Sequence, residues 1–311
     1  MKPKVLISSC LGFENSRYNG GIISNSFIDK LKDYIEPIIV CPEMEMGLGV
    51  PRESIRLVSL DNKTKLMTSR SGIDLTDKAE AFIKKFDMKL SNNQFDGAML
   101  KSLSPSCGIR NVKLYNGTVA SKKGKGFFGS FLYDHDKVFF TEEEGRCNDR
   151  NYRENFLTAI YASMKYRNVT SMAELIKFHS EHKYLYMSYN YTKLKEMGKL
   201  LASHSAKNFE IVYVEYRKIL TSLFKKLPNI RSRYNTMQHM VGYFKNDLSS
   251  IEKEFLANLF TEYRNSLIPF NVPLKLLEYL VVKYNKTYLT QQVVFNTFPK
   301  ELQILTQGDN L

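Results

Sequence analysis

No stretch of the 311 residues approaches the roughly 18 consecutive apolar residues of a membrane-spanning helix. No period of about 20–50 residues marks a repeat array, and there is no low-complexity tract. The apolar segment behind Met1-Lys-Pro-Lys4 is only Val5-Leu-Ile7, well short of the roughly 7–15 residues at the heart of a secretory signal. It is expected to be the first strand of a cytoplasmic protein. Cysteine is scarce, with four residues, too few in a chain of this size without an export signal to suggest a disulfide framework. The basic glycine stretch Ser121-Lys-Lys-Gly-Lys-Gly126 lacks the Gly-Lys-Ser/Thr ending of a phosphate-binding P-loop and is expected to be a solvated turn.

Acidic residues are also in short supply, which leaves a formal net charge of +13. The excess is uneven. Residues 1–150 hold 23 Lys and Arg against 19 Asp and Glu, residues 151–250 hold 16 against 7, and residues 251–311 hold 6 against 6. Positive charge gathered in one region is the footprint expected for a polyanionic partner such as a nucleic acid, although solvated lysines give the same total.

What the first half does contain is a strand–helix alternation. Residues 4–9, 36–40 and 95–101 and the run Lys137–Thr141 have the length and apolarity of buried strands. Between them, Phe27, Ile28, Leu31 and Ile35 share one helix face, and Ala79, Phe82, Ile83 and Phe86 share another. The spacing predicts a layered α/β domain with a mainly parallel sheet over residues 1–150. The polar stretch Glu142–Glu154 is expected to be a junction, followed over residues 151–311 by an all-α domain. There Ser171-Met-Ala-Glu174 and Ser249-Ser-Ile-Glu252 have the form of capping boxes, and Pro273 opens an amphipathic helix.

Cys10, Cys41 and Cys107 each lie just beyond a strand-length apolar run. If those runs are parallel strands, the three thiols meet in the crevice where open α/β sheets bind ligands. Three such thiols suit a catalytic zinc, a reactive thiol pair, an iron–sulfur cluster with one open iron, or simply buried free cysteines. The spacings of 31 and 66 residues do not choose among these. Cys147 stands apart as a spare thiol. His179 and His182 share a helix face but have no carboxylates at matching spacing, so packing or RNA contact is expected of them rather than metal binding.

Several longer motifs together form a recognisable pattern. Ser8-Ser-Cys10-Leu-Gly12, Arg17-Tyr-Asn-Gly-Gly21, Cys41-Pro-Glu-Met-Glu45-Met-Gly-Leu-Gly-Val-Pro-Arg52, Asp74-Leu-Thr76 and Leu100-Lys-Ser-Leu-Ser104-Pro-Ser-Cys107-Gly resemble the thiouracil desulfurase family over about residues 1–150. The resemblance implies a 4Fe–4S cluster on Cys10, Cys41 and Cys107, with Glu45 and Ser104 as catalytic groups. Glu43, two residues before Glu45, ranks second to it on the reading of the residues themselves. It also implies removal of sulfur from a thiocarbonyl without net redox change. The family's usual Leu-Leu-Gly after the first cysteine is here Leu-Gly-Phe13.

Phe178–Tyr184, Asn235–Lys245 and Val272–Leu276 resemble the helical domain of a subgroup acting on 4-thiouridine in transfer RNA. That similarity implies transfer RNA as partner, bound by the helical part. Free thiouracil or a thionucleoside is the alternative substrate, and a non-enzymatic RNA-binding metalloprotein is a third reading.

Overall fold

The computed structural model describes residues 1–91, 93–203 and 209–307. They form two compact units, one of residues 1–164 with the C-terminal segment from 300, the other of residues 165–299. Among the described residues no helix is long and apolar enough to cross a membrane.

In the first unit the order is β1 (Lys4–Ser8), α1 (Ser26–Leu31), β2 (Glu36–Val40), α2 (Pro42–Glu45), β3 (Ile55–Leu60), β4 (Lys63–Thr68), α3 (Thr76–Ser91), β5 (Gly97–Leu100), β6 (Val112–Asn116), β7 (Val119–Gly124), α4 (Phe127–Asp134), β8 (Thr141–Glu143) and α5 (Arg150–Arg167), whose last residues from Lys165 belong to the second unit. The strand order β2-β1-β5-β8 makes a parallel sheet, with Ser8 opposite Val40 and Ile7 opposite Met99. Its central strands are buried on both faces, which is why Val5-Leu-Ile7 and Gly97-Ala-Met-Leu100 are continuous apolar runs. Phe82 and Phe86 of α3 pack with Phe128 of α4 against Leu6, Ala98 and Leu100. Ile160 of α5 comes so close to Gly97 that a Cβ there would lie 2.6 Å from it. The α/β expectation with a mainly parallel sheet holds.

Two details differ from the sequence reading. The fourth strand begins at Thr141, where the run Lys137–Thr141 was expected to end, and carries on into the glutamates expected to be a junction. A second sheet, β4-β3-β6-β7, was not foreseen. Its edge strands β4 and β7 are rich in exposed Lys, Thr and Ser, so they lack the apolar signature of a buried strand. The chain turns between β3 and β4 through Asp61-Asn62, both at positive φ, as a tight hairpin requires. The stretch Ser121–Gly126, expected to be a solvated turn, supplies most of β7.

The second unit is helical: α6 (Met172–Glu181), α7 (Lys183–Tyr189), α8 (Tyr191–Ser203), α9 (Phe209–Phe224), α10 (Ile230–Val241), α11 (Ser250–Arg264), α12 (Asn271–Lys283) and α13 (Thr287–Thr290). The final α14 (Lys300–Gln307) belongs to the first unit. Ser249 and Glu252 form a complete capping box on α11. At α6 the Ser171 hydroxyl accepts from Glu174 N, while the Glu174 carboxylate accepts from Thr170 instead of closing the box.

Many of this unit's aromatics build its core. Tyr166 stacks on Tyr213 and Tyr216, with ring centroids 4.5 and 5.7 Å away. His179 and His182 join that core. His179 Nδ1 lies 3.0 Å from the Tyr216 hydroxyl, and His182 Nδ1 lies 2.7 Å from the Phe178 carbonyl. Burial lowers their pKa values to about 4 and about 3. Both are packing groups, held neutral.

An imidazole whose pKa is lowered by folding adds stability above the unfolded value and loses it as pH falls below that value. The unfolded chain takes up a proton near pH 6.5 that the folded chain refuses. Replacing His182 with Phe should therefore reduce the stability lost between pH 7.5 and pH 5 by about 2 kcal/mol. Urea midpoints at the two pH values measure this, and an equal loss in wild type and variant contradicts it.

Candidate functional site

Because β2, β1 and β5 are parallel neighbours, the chain leaves each of them at the same edge of the sheet. Cys10 follows β1 by two residues, Cys41 directly follows β2, and the loop after β5 carries Cys107. All three cysteines line one cavity of about 360 Å³, together with Arg17, Tyr18, Glu43, Arg52, Lys101 and Ser104 among others. Burial, first, and then the neighbouring Cys41, Glu144 and Glu43 push the Cys10 thiol up to about 11, against an opposing effect of Lys101. Burial likewise holds the Cys107 thiol well above its ordinary value. Three thiolates in this cavity thus call for a compensating positive charge. Among the described residues, no three His, Cys, Asp or Glu side chains converge as the ligands of a single metal ion do.

The loop bearing Cys107 is fastened along its length. Lys101 N donates to Ser8 Oγ at 3.0 Å. Ser102 N and Oγ donate to Glu144 Oε2 at 2.6 and 2.7 Å, and Lys101 Nζ pairs with the same carboxylate. Ser104 Oγ accepts from Ser106 N at 3.2 Å and Cys107 N at 3.1 Å. Ile109 N and Arg110 N then donate to Glu143 Oε1 at 2.8 and 3.2 Å. Consecutive glutamates at the end of β8 therefore hold the two ends of the loop. The first turn of α4 closes it from another side, where Gly129 N donates to Ser106 O at 2.9 Å. A Cβ on Gly129 would lie 2.2 Å from the Cys107 carbonyl oxygen, so only glycine permits this approach.

A second fastening joins the Cys41 segment to the loop after Cys10. The Arg52 guanidinium donates to Glu43 Oε2 through Nε at 2.9 Å and Nη2 at 2.7 Å. It also donates to the carbonyls of Ser16 at 2.7 Å and Gly49 at 2.6 Å. Ser106 Oγ donates to Glu43 Oε1 at 3.1 Å, which ties this segment to the Cys107 loop as well.

Of the residues singled out in the sequence, Cys10, Cys41, Cys107 and Ser104 line the cavity. Glu45 does not; it is exposed at the end of α2, and the carboxylate in the cavity is Glu43. Pro42 starts a helical turn immediately after Cys41, and residues two apart on a helix point about 200° from one another. Cys147 is buried away from the cavity, its thiol held well above the ordinary value by burial. Glu143, Glu144 and Lys101 were not singled out by sequence reasoning. The signal available was three glutamates directly after an apolar run, where a strand end would place them beside the neighbouring loop.

Replacing Glu143 with Ala leaves two backbone N–H groups of the loop without an acceptor, at about 1–3 kcal/mol each. We expect the urea midpoint to fall and proteolysis within residues 101–110 to accelerate. Unchanged protection of that loop would show that Glu143 does not hold it.

Comparison with known proteins bears on this geometry directly. The family described as 2-thiouracil desulfurase matches residues 5–144, the span from β1 through Glu144. A family described as a protein of unknown function, DUF1722, matches residues 183–299. The Bacillus subtilis protein YbbK is 33% identical over 155 residues, 45% of this chain and 96% of its own length. The Escherichia coli protein YbgA is 26% identical over 135 residues, 43% of this chain and 80% of its own. A solved structure of a 4Fe–4S-dependent thiouracil desulfidase, TudS, is 27% identical, covers 47% of this chain and 93% of its own, and has a TM-score of 0.37. The matched span of 5–144 takes in both sheets, all three cavity cysteines and the glutamates that clamp their loop, and YbbK is matched along almost its whole length: the chain belongs to the 2-thiouracil desulfurase family.

Proposed function

We propose that this protein is a desulfidase that exchanges the sulfur of a thionated pyrimidine for oxygen, and that its substrate is 4-thiouridine in transfer RNA. The observation that carries this reading is the meeting of Cys10, Cys41 and Cys107 on the walls of one cavity. Soft thiolate donors suit iron–sulfur chemistry, and in a cluster each iron takes its own cysteine, so the three sulfurs need not converge on one point. That fits a donor set that shares a cavity without forming a single-ion site. A 4Fe–4S cluster held by these residues supplies, when bound, a Lewis-acidic iron without a protein ligand, able to polarise a thiocarbonyl.

The chain's own groups divide the remaining work. Glu43 Oε2 is occupied by Arg52, which fixes the carboxylate's orientation, and Oε1 accepts from the Ser106 hydroxyl. Oε1 is the atom we assign to hold the proton lost by an attacking water. The Ser104 oxygen already accepts two N–H bonds, which uses both lone pairs of a hydroxyl. Its O–H is left to donate, so Ser104 serves as a hydrogen-bond donor to substrate. Water replaces sulfur on carbon, sulfide departs, and no electrons change hands.

Transfer RNA as substrate draws support from the basic stretch of residues 151–250 and from the helical unit that follows the desulfurase-like half in sequence. Free thiouracil or a thionucleoside is the second reading. It is favoured by the match of YbbK over almost its whole length to only 45% of this chain.

Protein loaded with iron and sulfide under anaerobic conditions should abolish the near-ultraviolet absorbance of 4-thiouridine in transfer RNA and release sulfide; absorbance that persists refutes the proposal. Activity on transfer RNA should fall steeply with salt, whereas turnover of a free thiopyrimidine should respond little. Glu43→Gln should lower kcat by about 10²–10⁴-fold if it is the base. A larger loss in Glu45→Gln returns that role to Glu45.

A further inference from the structure

We infer that the outer face of the second sheet is a docking surface for the sugar–phosphate backbone of an RNA strand. This places a contact on the first unit, outside the cysteine cavity, where the transfer-RNA reading drew only on residues 151–250 and the helical unit.

The sheet is one-sided in charge. Strands β3, β4, β6 and β7 carry Arg56, Lys63, Lys65, Lys113, Lys122 and Lys123, and no Asp or Glu. The other residues up to 150 hold 17 Lys and Arg against 19 Asp and Glu. The basic excess of the first half therefore lies wholly in this sheet. Of its six cations, only Lys65 is paired with a carboxylate among the described residues, Asp74 at 3.1 Å.

Register gathers these cations on one face. Leu57 stands opposite both Leu66 and Leu114, and all three pack against the core. Side chains alternate along a strand, so Arg56, Lys63, Lys65, Lys113 and Tyr115 take the other face. Between the pairs Leu114–Ser121 and Val112–Gly124, β7 has one residue more than β6. Lys122 and Lys123 thus stand together opposite Lys113, and all three are exposed. Like charges set across a strand pair are destabilising. Three lysines gathered at one bulge lower the stability of the free protein, and a polyanion laid over them reverses that repulsion.

Two features favour RNA over a lipid surface or an acidic protein. The Arg56 guanidinium lies 5.3 Å from the centroid of the half-buried Tyr115 ring, an arginine–aromatic pair on which a base can stack. β3 also begins at the cysteine cavity, whose lining includes Ser54 and Ile55, so the basic face and the cavity adjoin at one end of that strand. A polynucleotide can cover the face and still present one nucleotide to the cavity.

Binding of unmodified transfer RNA to the full chain, followed by fluorescence anisotropy across a salt series, tests this without any turnover. Lys113→Gln/Lys122→Gln/Lys123→Gln should weaken binding by about tenfold or more and flatten the slope of log K against log salt by about one per lysine. Lys84→Gln/Lys85→Gln/Lys89→Gln removes the same charge from exposed positions on α3 and should leave affinity and slope near wild type. At low salt the sheet variant should unfold at a urea midpoint no lower than wild type, which separates lost binding from lost folding; a lower midpoint contradicts the repulsion at the bulge. Equal RNA binding by wild type and sheet variant, or equal losses in the two triple variants, overturns the inference. A sheet variant that keeps RNA but releases phosphatidylglycerol vesicles bound by wild type overturns it in favour of a membrane partner. On the loaded protein the sheet variant should raise KM for transfer RNA and leave turnover of a free thiopyrimidine unchanged. If no thionated substrate reacts, the desulfidase reading fails, and the docking surface is decided by the binding series alone.

Discussion

The parallel pairing of β2, β1 and β5 is the constraint on which the site depends. With Ser8 opposite Val40 and Ile7 opposite Met99, three strands stop at one level and release the chain toward the same crevice. Cysteines separated by 31 and 66 residues in sequence become neighbours across a few strand spacings of roughly 5 Å. Gly97 allows the sheet to lie close beneath α5, and the apolar strands keep its register, since a one-residue slip would turn the buried side chains outward.

Beyond the strand ends, order is imposed by buried carboxylates. Glu142 and Glu143 close β8, and Glu144 follows them, so that the three carboxylates together reach both ends of the neighbouring loop. Glu142 meets the Arg110 side chain, Glu143 the backbone N–H groups of Ile109 and Arg110, and Glu144 both Lys101 and Ser102. The Glu43–Arg52 pair does the same for the other two cysteine segments. Withdrawing two charges from water is costly, and Arg52 offsets that cost only by filling its donor fork with the Glu43 carboxylate and two carbonyls. Such a network contributes position more than net stability. It also leaves Arg17 as the cavity cation with no carboxylate among the described residues.

The parallel core was legible in the sequence because its strands are buried on both faces and therefore apolar throughout, as Val5-Leu-Ile7 shows. The second sheet was not, because Lys63–Thr68 and Val119–Gly124 are short, charged and largely exposed. The same blindness made the glutamates after Phe140 resemble a junction: burial of a carboxylate depends on partners from distant segments, which no local pattern reveals. The cysteines could be singled out by their place after strand-like runs, but their arrangement around a cavity is a tertiary fact. Which of Glu43 and Glu45 lines the cavity turned on whether Pro42 opens a helical turn; it does, and Glu43 is the one in the lining. His179 and His182 are spaced as ligands might be, yet their neighbours are rings of Tyr and Phe, a matter of packing that spacing alone does not report.

The most direct measurement of the central claim is the iron and acid-labile sulfide content of protein reconstituted anaerobically, in wild type and in each single cysteine-to-serine variant. Cys10, Cys41 and Cys107 acting together predict about four irons per chain in wild type, as a 4Fe–4S cluster requires. Each of those three substitutions should deplete the iron, while Cys147→Ser, whose buried thiol lies outside the cavity, should keep it. Retention of the full iron content without Cys10, Cys41 or Cys107, or its loss only without Cys147, would contradict the account.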